Sequence, residues 1–158
     1  MLAASRGFSL IELLAAAAIL GVLATVAVPV VETTVRREKE RELRQALRDI
    51  RRGIDAYRDA VARHSIVVKI QESGYPPRLE ALTEGIVDEK NTSGPKLVFL
   101  RRIPRDPFYP DRKAPAAATW GKREYASPEE APREGVDVFD VYSRSQQTGL
   151  NGVPYAQW

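Results

Sequence analysis

No charged residue occurs between Leu13 and Val31, and a single carboxylate, Glu12, stands at the head of that run. At about 1.5 Å of rise per residue, such a stretch forms a helix long enough to cross a bilayer core of about 30 Å. An ionised carboxylate held in hydrocarbon costs several kcal/mol, so it is rarely present without a partner or a task. The sequence therefore predicts that Glu12 awaits a cation supplied by another copy of the chain. Arg6 precedes the apolar stretch and supplies the positive flank expected to remain cytoplasmic. The run is longer than the core of a secretory signal, and no Ala-x-Ala site precedes the charged segment that starts at Arg36. The apolar segment is expected to stay in the protein.

Two details of this segment point to packing. Ala17, Gly21 and Thr25 recur every four residues and offer one small-residue face to a neighbouring helix. Pro29 lacks an N–H and is expected to bend or loosen the helix in the turn before it. Beyond the apolar run the pattern stays helical. Leu43, Leu47, Ile50, Ile54, Tyr57 and Val61 form the stripe of an amphipathic helix, with charges on the other faces. One helix from about Ser9 to Arg63 is predicted, roughly 80 Å long, with its second half lying against a head.

The 158 residues leave room for one modest domain beside this helix. No Cys is present to form a disulfide or thiolate site, and the one His, His64, reads as a solvated surface residue. The net charge of +3 is local: Met1 to Arg52 holds nine Lys/Arg against six Asp/Glu, whereas Gly53 to Trp158 holds fifteen of each. A head without charge excess and with scattered aromatics gives no reason to expect nucleic acid.

The head is expected to be built from short elements. Tyr75-Pro76-Pro77 ends the preceding structure, and Arg78 to Glu84 can form a short helix stopped by Gly85. Leu97 to Leu100 reads as a strand or buried loop, and Arg123 to Ala126 and Val136 to Ser143 as two antiparallel strands. A small sheet covering the Leu/Ile stripe gives an α+β class. No nucleophile, phosphate-loop or metalloprotease motif occurs, so no enzyme activity is expected. Asp106 and Asp111 flank Pro107 and read as turn formers. Asp137 and Asp140, three apart on a strand, point to opposite faces. A single-pass membrane enzyme or sensor would need a site in the head, and none is visible.

The string Arg6-Gly7-Phe8-Ser9-Leu10-Ile11-Glu12, followed by an uncharged helix with Pro29, resembles the class III signal of type IV pilins and pseudopilins. That resemblance implies a leader of residues 1–7 removed by prepilin peptidase between Gly7 and Phe8, and N-methylation of Phe8. Residues 8–31 would then be a transmembrane assembly helix, 32–65 its amphipathic continuation and 66–158 a periplasmic head. Cleavage creates a cationic amine at Phe8, one helical turn from Glu12. Pairing between staggered copies would lower the desolvation cost of both charges.

The order of SGYPPRLEALTEG, RRIPRDPF, TWGKREYAS and DVFDVYSRSQQTGLNGVPYAQW is similar to the major pseudopilins of type II secretion systems. The resemblance implies a homo-oligomeric helical filament in the bacterial inner membrane and periplasm, meeting other pseudopilins and the inner-membrane secretion platform. The alternative it leaves open is a type IV pilus for adhesion, motility or DNA uptake. In that family the C-terminal loop often binds calcium through two Asp. Here Asp140 and Ser143 match the pattern, but Gln147 replaces the second acidic ligand, and Asn151 would offer only a carbonyl. No cofactor is therefore expected. The loop is instead expected to be held by turns at Gly149, Gly152 and Pro154 and by packing of Tyr155 and Trp158.

Overall fold

The structure is a computed structural model describing residues 9–68 and 72–158, with the backbone alone described at 26–29. Its first element is helix α1, Leu10–Ala62. The chain separates into two units, 1–38 and 39–158, so α1 contributes to both.

In the second unit the predicted stripe is the spine of the core. Leu43, Leu47, Ile50, Ile54 and Tyr57 are each buried, joined by Ala46 and Ala60 on the same face. They pack with Leu79, Leu82, Ala117, Trp120, Val138, Val141 and Tyr155, while Val61 is only partly covered. Spacings of three and four residues place side chains on one helical face, so burial follows directly from the sequence pattern. The intervening residues Gln45, Arg48 and Asp49 instead hydrogen-bond one another on the exposed face.

Just past the end of α1 lies His64, whose φ of 59° places it in the left-handed region. The His64 N–H donates to the Val61 carbonyl and the Ser65 N–H to the Ala60 carbonyl, each at 2.9 Å. This is a Schellman closure with an exposed His at the position usually taken by Gly. A β-carbon in that conformation is disfavoured by about 1–2 kcal/mol, part of which Gly returns through its freer unfolded state. His64→Gly is therefore expected to raise the unfolding free energy by about 0.5–1 kcal/mol, measured by denaturant titration.

The remaining elements are short. Helix α2, Ala81–Glu84, is stopped by Gly85 at φ 78°. It begins later than the predicted Arg78 because residues 78–80 form hydrogen-bonded turns leading into it. The Leu82 carbonyl accepts both the Phe99 and Leu100 N–H groups. Of the run from Leu97 to Leu100, Leu97 makes an isolated bridge to Ile86, and the rest is loop. Strand β1, Trp120–Arg123, pairs antiparallel with β2, Asp140–Ser143, in the register Trp120 with Ser143 and Arg123 with Asp140. A 3-10 turn at Ala116–Thr119 leads into β1, and another at Tyr155–Gln157 follows the C-terminal loop.

The class is thus α+β, a long helix with a small antiparallel sheet, as the sequence implies. The strand limits differ from expectation. β1 starts three residues before Arg123, because the chain turns immediately after it: the Ser127 N–H donates to the Glu124 carbonyl and the Tyr125 N–H to Asp137 Oδ1. β2 starts at Asp140 and not at Val136. Val136 is 85% exposed, and the Val138 N–H is drawn away to the Pro76 carbonyl.

Tyr57 lies in this core, edge-on to Phe99 at 5.5 Å between ring centroids. Burial, with a smaller contribution from the Glu72 charge, raises its phenol above the ordinary value of 10. For an acid whose folded pKa is raised, the stabilising contribution is complete below the unfolded pKa. It is lost as pH climbs through the folded pKa. The wild type is therefore expected to lose stability above pH ~10 more steeply than Tyr57→Phe in denaturant titrations across that window.

Candidate functional site

Two constellations stand out: the head of α1 and the fastening of the C-terminal loop. At the first, the Ser9 carbonyl accepts the N–H groups of Glu12 (3.1 Å) and Leu13 (3.2 Å), which opens the helix. Glu12 occupies the first turn, where the helix dipole favours a negative charge. Its side chain is exposed, and among the described residues no cation forms an ion pair with it. Gly7 and Phe8, the predicted processing residues, lie outside the described residues.

The side chains following Glu12 are apolar and uncovered. Leu10, Ile11, Leu14, Leu20, Val22 and Leu23 are each at least 60% exposed. An apolar surface of this extent is not left to water in a soluble domain; it marks a membrane or protein contact. The helix is long and apolar enough to cross a membrane. A Cβ added at Gly21 would meet nothing within 4 Å, so the face carrying Ala17, Gly21 and Thr25 is open within the chain. The Thr25 hydroxyl donates back to the Val22 carbonyl at 2.7 Å. α1 continues through Pro29, which has no N–H for the helical ladder.

The second constellation joins α1 to the last fifteen residues. Glu40 is 5% exposed, and its Oε1 accepts the Leu150 N–H at 2.7 Å and the Tyr155 hydroxyl at 2.9 Å. Tyr155 is fully buried, stacked on Phe108 at 4.1 Å and edge-on to Trp158 at 4.9 Å. The Arg44 guanidinium lies 4.3 Å from the centre of the Trp158 ring. Further along α1, Arg51 Nε donates to Asp140 Oδ1 at 2.8 Å, and Nη2 donates to the carbonyls of Val141 (3.2 Å) and Trp158 (2.9 Å). One face of the helix thereby clasps both the sheet and the C-terminal loop. The expected packing of Tyr155 and Trp158 is present, but Glu40 and Arg51 were not singled out by the sequence.

The residues matching a calcium loop turn to other partners in the structure. The Asp140 carboxylate faces Arg51 and, at 3.7 Å, Arg123, so its counter-charge is already supplied by guanidinium groups. The Ser143 hydroxyl donates to the buried Asp106 carboxylate at 2.6 Å. The Gln147 side chain is exposed, and the Asn151 side-chain oxygen accepts the Val153 N–H. Among the described residues, no three acidic, His or Cys side chains converge as a metal site. Asp106 and Asp111 act as turn formers, accepting the N–H groups of Phe108 and Lys113, each at 2.8 Å. Asp137 and Asp140 turn to different partners, Ser73 and Tyr125 for the first and Arg51 for the second.

Residues 2–28 match the family model of the prokaryotic N-terminal methylation motif. The match takes in Gly7, Phe8, Glu12 and the start of the apolar helix, and it supports a type IV pilin-like chain. No curated protein and no solved structure matches the chain.

Proposed function

We propose that this chain is the structural subunit of a periplasmic pseudopilus that drives protein export in a type II secretion system. The observation carrying the reading is a lone carboxylate on an uncovered apolar helix, inside a methylation motif. In this reading, prepilin peptidase cuts after Gly7, and Phe8 becomes the methylated N-terminus. Subunits wait in the inner membrane with their heads in the periplasm. Assembly brings the Phe8 amine of one copy to Glu12 of the next, and the apolar helices then cover one another. Neutralising two charges in a low-dielectric setting favours the in-register neighbour over a slipped one. Pro29 loosens the helix between its membrane and head portions. The chain acts by assembly and not by catalysis, and other pseudopilins and the secretion platform are its partners. Its head needs no metal, because Arg51 neutralises Asp140.

The methylation motif serves pili as well as pseudopili, so a type IV pilus is the second reading. The order of the head motifs favours secretion. Deleting the chain in its native host separates the two. Secreted enzymes trapped in the periplasm, with surface pili and motility intact, are the expected outcome. Loss of surface pili with export intact would select the pilus.

A further inference from the structure

Two loops of the head, at opposite ends of β1, carry opposite net charge. The loop entering β1 carries five cations against two carboxylates between Arg101 and Lys113, a net of +3. Both of those carboxylates are committed to turns, and that of Asp106 is buried as well. The loop leaving β1 carries four carboxylates against one cation between Glu124 and Glu134, a net of −3. Trp120 Nε1 donates to the Pro104 carbonyl at 2.8 Å, and Ser143, the residue opposite Trp120, donates to Asp106, which fixes the basic loop at the start of β1. The acidic loop closes on itself at the other end, where the Glu124 N–H donates to the Arg133 carbonyl at 2.9 Å. Four strand residues, about 10 Å, lie between them.

Arg101, Arg102, Arg112 and Lys113 on one loop and Glu129 and Glu130 on the other are exposed. None of the six forms an ion pair among the described residues. We infer that the two loops are complementary halves of a contact between heads of successive copies, the acidic hairpin loop of one subunit meeting the basic loop of the next. A two-fold dimer through either loop would oppose like charges. Joining one loop to the other is a head-to-tail contact, the kind that propagates as a helical filament. Single exposed pairs are weak and screened beyond about 8 Å at physiological salt, so the contact sets register and not the bulk of the adhesion. It acts once the helices hold the heads close together, where effective concentration is high.

This inference rests on the filament reading, and its test is built to fail separately. The full chain is expressed together with prepilin peptidase, the other pseudopilins and the secretion platform. Filaments are quantified by electron microscopy in the wild type, in E129K/E130K, in R101E/R102E and in the four-fold reversal. Each two-site variant is expected to give about five- to tenfold less filament, and the four-fold variant to recover most of it. Because all four positions are solvent-exposed, thermal unfolding should be unchanged throughout. Two-site variants that assemble like the wild type, or a four-fold variant no better than either, would overturn the contact and leave the filament standing. A wild type that forms no filament would overturn both.

Discussion

Replacing Glu12 by Ala is expected to leave cleavage and methylation intact and to abolish filament formation. The proposed cleavage junction, between Gly7 and Phe8, is separate from Glu12, so loss of the Glu12 side chain removes nothing the peptidase would cut. Assembly is another matter. Without Glu12, each incoming subunit would carry an uncompensated amine into the apolar bundle, a penalty of several kcal/mol per subunit. At the level of a repeated contact this multiplies along the filament. Glu12→Gln keeps hydrogen-bonding capacity but not the charge and should assemble poorly as well. Mass spectrometry of the membrane form and electron microscopy of sheared fractions report the two steps independently. Normal filaments from processed Glu12→Ala subunits would remove the ion pair from the mechanism.

The largest expected effect on folding is at Glu40. Glu40→Ala removes the carboxylate oxygen that accepts both the Leu150 N–H and the buried Tyr155 hydroxyl. Loss of two hydrogen bonds to a charged group puts the cost at about 2–4 kcal/mol. For a domain of this size that lowers the melting temperature by roughly 10–15 °C. Glu40→Gln retains an acceptor oxygen and should lose less than half as much. Glu42→Ala, on the exposed side of α1, should be nearly neutral. Thermal unfolding of the detergent-solubilised chain checks all three, and a Glu40→Ala protein as stable as the Glu42→Ala control would refute the clasp.

What could be read in advance, and what could not, has a physical pattern. The stripe from Leu43 to Tyr57 was legible because helical periodicity is local and burial simply follows it. Glu40 sits three residues before Leu43, in phase with the same stripe, and its phase was the available signal. Its charge made it look like one more solvated residue among the neighbouring cations. Arg51 and Asp140 are 89 positions apart, and no local pattern announces such a pair. The strand ends were misplaced for a related reason. β-branched Val136 has the composition of a strand, but the turns around Asp137 decide where the ladder begins. Gly85 ended α2 as expected, whereas the stop of α1 fell to His64, a residue rarely chosen for the left-handed region. At the head of α1, the apolar run and its one carboxylate were plain in the sequence, because cost in hydrocarbon depends on composition alone.

In the proposed mechanism, a new amine at Phe8 licenses assembly by meeting Glu12 of an adjoining copy. Its most direct test is the N-terminal mass of subunits recovered from purified filaments. Every assembled chain should begin at a methylated Phe8. Filaments built from chains that still carry residues 1–7 would rule out the Phe8 amine as the trigger of assembly.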